Sequence, residues 1–313
     1  MSMVLYMNIL WFVLAAIMIL SPVGLGSARV WSAAPALMAS YTILCIWLIR
    51  ANNSPGYKFK RTPLDVPIFL LITIAAVSSF FSINRHDSFC ALAILAAYVG
   101  IYYMIVNEFD HKMVMRVILA VVFAGTVISL YGLMQYMGVL GHSWWDPAEF
   151  VAATFVNHNH FAGYLELVIS AVFGLLLSEE TKKYKLPLAA ALVFLLTAFI
   201  LTQSRGGWMS LLIASVFMMI FAIRRKKTDK NGIFALILVI LLISAICFFG
   251  KDIISQRMET MLSPLEKQEV SAITRIKIWN GTLDMIKSNP ILGSGINTFI
   301  SGFTAHRDRK SVV

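Results

Sequence analysis

Arg205 stands in the stretch LTQSRGGW, residues 201–208, between two apolar runs and next to two glycines. A guanidinium is a planar fork of donors that holds two oxygens of one phosphate at once. Gly206 and Gly207 remove side chains beside it, so that a backbone or a ligand can come close. The apolar run that follows opens at Gly207, and the free amides at the start of a helix attract anions. Guanidinium and free amides together describe an anion site of diphosphate size. The bland alternative is an arginine that snorkels from a helix end to the membrane surface. The residues favour the anion site, because an ionisable residue bordering a membrane span marks function by default.

A second polar cluster lies in FVNHNHFAGYLEL, residues 155–167. Asn157 or Asn159 can cap a helix amino terminus by accepting from its amides. The same residues, with His158 and His160, can hydrogen-bond a polar ligand such as a sugar, and the two roles can coexist. A metal site is not read here: two histidines two residues apart lack a Cys, Asp or further His at zinc spacing. Glu166 falls inside the apolar run, where a carboxyl group is either functional or protonated and hydrogen-bonded.

The third stretch, SAITRIKIWNGTLDMIKSNPILGSGINTF, covers 271–299. Ile273, Ile276, Ile278, Trp279, Leu283 and Ile286 recur at helical spacing, which predicts an amphipathic helix over 273–287 lying along a membrane surface. Arg275, Lys277 and Lys287 would then meet lipid headgroups. Pro290, Gly293 and Gly295 break the helix into a turn. A lone G-x-G with no strand before it is not a nucleotide motif.

These motifs need elements to position them, and composition says which. Of 313 residues, 59% are hydrophobic and 13% charged, far from the quarter charged of ordinary soluble domains. The apolar residues come in runs long enough to cross a hydrocarbon core. Nine spans are predicted: 4–22, 30–50, 66–83, 89–107, 115–137, 160–178, 186–203, 207–223 and 232–250. They must be helices, since no dyad alternation suggests a barrel. Residues 4–22 are no signal peptide, because no A-x-A-like site follows.

The net charge of +10 does not point to nucleic acid, because its placement follows the membrane. With the amino terminus inside, the inner loops 50–65, 108–116, 179–185 and 224–231 hold fourteen Lys and Arg. The short outer loops hold three: Arg29, Arg85 and Arg205. The positive-inside rule therefore turns the SRGG motif outward, with 138–159 (Trp144 and Trp145 as interfacial anchors) and the chain from Lys251 onward. Cys45, Cys90 and Cys247 all lie in apolar runs and form no loop disulfide framework.

In this order and spacing, NHNHFAGY, LTQSRGGW, TRIKIW and NPILGSGINTF resemble the O-antigen ligase and polymerase superfamily, the Wzy_C-type membrane glycosyltransferases. SSFFSINRHDSF, residues 78–89, resembles a weaker pattern of the same family. The resemblance runs over roughly residues 66–305. It implies an all-α, GT-C-like polytopic membrane bundle in the bacterial inner membrane, with its active face periplasmic. It also implies transfer of a glycan from an undecaprenyl-diphosphate carrier to an acceptor, without metal or nucleotide cofactor. The acceptor is lipid A core in ligases and another lipid-linked repeat in polymerases.

On this resemblance Arg205 and Arg275 engage the diphosphate, with Ser204, Gly206, Asn157, Asn159 and His160 as further substrate contacts and membrane lipids as the surroundings. The implied domains are a transmembrane bundle over 1–250 and the start of a periplasmic catalytic loop over 251–307. The family's general base, a histidine in an HN motif further along that loop, is expected beyond the end of this sequence. His306 comes too soon after GSGINTF and is not given that role. The last six residues, DRKSVV, match the in-frame translation of a common sequencing adapter, GAT CGG AAG AGC GTC GTG. Residues 308–313 are therefore expected to be an artefact and are left out of the fold reasoning. A lipid-glycan flippase is the alternative from another class; it calls for inverted repeats with helices interrupted at the midplane. No repeat is visible, and the polar motifs cluster at one face.

Overall fold

The computed structural model describes residues 3–27, 29–141, 150–224 and 270–306. Ten α-helices account for most of them, and no strand occurs among the described residues. They are α1 (Met3–Leu20), α2 (Val30–Asn53), α3 (Asp65–Phe80), α4 (Arg85–Glu108) and α5 (His111–Tyr136), followed by α6 (His158–Leu177), α7 (Lys185–Leu201), α8 (Arg205–Arg224), α9 (Val270–Ser288) and α10 (Phe299–His306). Eight of the nine predicted spans coincide with α1 to α8. Six helices among the described residues are long and apolar enough to cross a membrane. The apolar stretches of α3 and α8, Asp65–Phe80 and Gly206–Phe221, are shorter. At 1.5 Å per residue each covers about 24 Å, against a hydrocarbon core of about 30 Å. The ninth predicted span, 232–250, lies outside the described residues, as do 251–269, Trp144, Trp145 and the last residues from 307 on.

The chain divides into two compact units, and α2 passes from one to the other at Ser40. The first unit holds α1 and α5 to α8. Within it α5 packs on α1, α6 and α7, and α6 packs on α7 and α8. Helix α6 is its centre: Phe161, Leu165, Val168, Ile169 and Val172 are buried at helical spacing, against Leu192, Leu195 and Phe199 of α7 and Trp208 and Leu211 of α8. A side chain at Gly125 of α5 would come within 2.8 Å of Val168 Cγ1. In lipid, such small residues are what let helices approach closely, since tails are as apolar as leucine. Met209, Ile213 and Phe217 of α8 remain 60–68% exposed, an apolar stripe of the kind a bilayer covers.

The second unit holds the rest of α2 with α3, α4, α9 and α10. Helices α3 and α4 pack side by side, and α10 folds back on α9. At one end the 54–64 connection is strapped down by polar groups. Tyr57 OH (2.7 Å) and Trp47 Nε1 (3.1 Å) both donate to Glu108 Oε1. Burial and the Glu108 carboxylate together push the Tyr57 phenol above its ordinary pKa. Lys60 Nζ donates to the carbonyls of Val106 and Asn107, each at 3.0 Å, which closes the last turn of α4. The polar motifs of this unit lie at the other end of α3 and α4.

Candidate functional site

Two of the predicted motifs meet inside the first unit. Asn157 is the cap of α6: its side chain accepts from Asn159 N at 2.7 Å, in extended backbone geometry. Ser204 takes the same place before α8. Its hydroxyl accepts from Gly207 N at 3.3 Å and donates to Asn159 Oδ1 at 2.8 Å. One hydroxyl therefore ties the amino termini of α6 and α8 together. Two helix starts converge there, and both favour negative charge. The α7–α8 turn reaches this position through Gln203, a non-glycine residue with φ of 53°. Thr202 beneath it is fully buried, its hydroxyl donating to Phe199 O at 2.6 Å.

Both helices start two residues earlier than their spans were predicted to, because their first residues, His158, Asn159, Arg205 and Gly206, are polar or small and read as loop. Arg205 is thus the first residue of α8 rather than part of the turn before it, and His160 lies within α6. The Arg205 side chain lies outside the described part of the structure. His160 and Asn159 are exposed. Asn159 Nδ2 meets His158 Nε2 at 3.0 Å, and the His158 ring lies against Phe150 with centroids 4.4 Å apart.

The two glycines have different surroundings. A side chain at Gly207 would come 3.0 Å from Glu166 Oε1, 3.2 Å from Ala162 Cβ and 3.3 Å from Phe199 Cε2. Gly207 is therefore where α8 packs against α6, and Glu166 faces that crossing. A side chain at Gly206 would meet no described residue within 4 Å. Two buried donors nearby in sequence, Tyr164 OH and Trp208 Nε1, have no hydrogen-bond partner among the described residues.

The other two motifs meet inside the second unit. The predicted amphipathic helix is α9, and its Ile276, Trp279, Leu283 and Ile286 stay exposed at 53–64%. Arg275 lies in its second turn, with its side chain outside the described part, as is that of His306 at the end of α10. The turn after α9 docks on the α3–α4 end. Ser78 Oγ donates to Leu292 O at 2.7 Å, Ile83 N to Ser294 O at 3.1 Å and Ser88 Oγ to Ile296 O at 2.8 Å. SSFFSINRHDSF and NPILGSGINTF are thus one structural feature, which the sequence offered only as separate family patterns. Among the described residues no three His, Cys, Asp or Glu side chains group as metal ligands.

Residues 190–312 match the family model described as Wzy_C, O-antigen ligase. That match supports membership of the O-antigen ligase superfamily. No curated protein and no solved structure matches the chain. The O-antigen ligase match takes in most of α7, all of α8 to α10 and both arginines singled out above. Members of this family are glycosyltransferase-like membrane enzymes, and the match supports a ligase- or polymerase-type function in general. With its several apolar helices, the chain is a multi-pass membrane protein.

Proposed function

We propose that the chain transfers a glycan from an undecaprenyl-diphosphate carrier to an acceptor at the outer face of the bacterial inner membrane, as an O-antigen ligase acting on lipid A core. The observation that carries this reading is the convergence of two helix amino termini at Ser204, with Arg205 opening the second helix. Arg205 would hold the diphosphate bidentately and stabilise the charge that develops on it as the sugar departs. Arg275 would supply the second guanidinium. Asn159 and His160, exposed at the start of α6, would hydrogen-bond the sugar, and the open surface beside Gly206 would let the diphosphate reach the helix amides. Asn157 and Ser204 act by shaping this end. Residues 1–250 would supply the membrane bundle and the chain from 251 onward the outward segment. The fourteen-to-three bias of basic residues supports an outward site.

Disrupting the gene in its own bacterium tests the reading. A ligase leaves full-length glycan on undecaprenyl diphosphate and lipid A core bare. A polymerase leaves single repeats on the carrier and on the core. Donor trapped on the inner leaflet would instead identify a flippase and sink the glycosyltransferase assignment. Orientation is read by reporters fused after Arg225 and near Ser263, expected inside and outside respectively. The reverse pattern at both sites would move every motif to the wrong face.

A further inference from the structure

We propose that Ser78, Ser82 and Ser88, at the α3–α4 end, are positioning residues that set where α9, and with it Arg275, is held. The inference rests on the reading of Arg275 as a diphosphate ligand. Its physical basis is the turn over 292–298. Gly293, Gly295 and Asn297 have φ of 66°, 112° and 62°. Left-handed residues at every second position turn alternate carbonyls, those of Leu292, Ser294 and Ile296, toward the α3–α4 end. Each carbonyl meets a donor there. Ser294 O takes Ile83 N and, more distantly, Ser82 Oγ at 3.4 Å. The Ser82 and Ser88 hydroxyls also bond each other at 2.7 Å.

The fit is close as well as polar. Gly295 lies so near Ser82 that a Cβ there would be 2.1 Å from Ser82 Oγ and 2.5 Å from Ser82 Cβ. Ser88 is fully buried, and Thr298, 1% exposed, closes the turn by donating to Gly295 O at 2.7 Å. Leaving one of these part-buried bonds unmade costs part of the desolvation of its carbonyl. Beyond the turn, α10 returns along α9, with Gly302 against Met285.

What makes this a positioning device is how little other support α9 has among the described residues. Among the described residues, α10 is the only helix on which α9 packs extensively. Ile276, Trp279, Leu283 and Ile286 of α9 are all exposed. The register of the α9–α10 hairpin against α3 and α4 therefore passes through the serine-held turn, across more than two hundred residues of sequence.

The test combines hydrogen exchange with a double-mutant cycle on the full chain in lipid nanodiscs, with undecaprenyl diphosphate as the probe. Ser88→Ala should raise exchange at the 292–298 amides about fivefold, the equivalent of one lost hydrogen bond. Gly295→Ala should raise it more, and exchange in α6 and α8 should not change. Each variant should weaken probe binding severalfold in the wild-type background and not in an Arg275→Ala background, because the latch acts through that arginine. Unchanged exchange in Ser88→Ala overturns the latch. Raised exchange with unchanged affinity, or an equal loss of affinity in the Arg275→Ala background, overturns the positioning role. Arg275→Ala that binds like wild type overturns the diphosphate reading of that residue and the positioning role with it, while the exchange result still reports on the latch itself.

Discussion

The Ser204 region and the Ser88 region carry the same kinds of residue, serines and glycines at helix ends, and do opposite things with them. At Ser204 one hydroxyl joins two helix starts, while Asn159, His160 and the surface beside Gly206 stay open. At Ser88 the hydroxyls of Ser78, Ser82 and Ser88 are committed to backbone carbonyls, and the glycine is pressed against Ser82. The first arrangement leaves donors available to a ligand. The second uses its donors to hold a distant segment. A polar motif at a membrane helix end is therefore identified by where its hydrogen bonds go, not by its composition.

The sharpest way to break this contrast is to remove one group from each region and measure undecaprenyl-diphosphate affinity. Arg205→Ala should lose on the order of 3 kcal/mol, about a hundredfold, because a charged donor to the diphosphate is gone. Ser78→Ala should lose far less, since it touches the ligand only through the turn it holds. Equal losses would erase the distinction. The two glycines sharpen it further in thermal unfolding of the purified chain. Gly207→Val should destabilise by about 1–3 kcal/mol, as its side chain meets Glu166, Ala162 and Phe199 at a packed crossing. Gly206→Ala should be silent or stabilise by roughly half a kcal/mol through helix propensity, having no described residue to meet. It should still weaken donor binding if the ligand uses that space. Destabilisation by Gly206→Ala would show that the surface is already occupied by protein.

Helices α1 to α8 were legible in the sequence because long apolar runs and their flanking lysines and arginines carry the information directly. Their starts were less legible. Asn157 was legible as a cap, but His158, Asn159, Arg205 and Gly206, the first residues of α6 and α8, are polar or small and read as loop. The site was legible as a set of motifs and not as pairs. Nothing in LTQSRGGW announces that Gly207 faces Glu166, because the partner lies on another helix. The Ser88 latch was further out of reach: its acceptors are the carbonyls of residues 292, 294 and 296, which every sequence has. Only the left-handed glycines of GSGIN marked that something unusual held that turn.

The central claim is that Arg205 binds a diphosphate and does not merely anchor α8 at the membrane surface. The most direct measurement is undecaprenyl-diphosphate affinity of Arg205→Lys beside wild type, with membrane insertion checked in both. Lysine keeps the charge and the reach to the interface but lacks the planar fork. The account predicts that Arg205→Lys inserts normally and loses most of the affinity that Arg205→Ala loses. Wild-type affinity in correctly inserted Arg205→Lys would contradict it and return Arg205 to the role of an anchor.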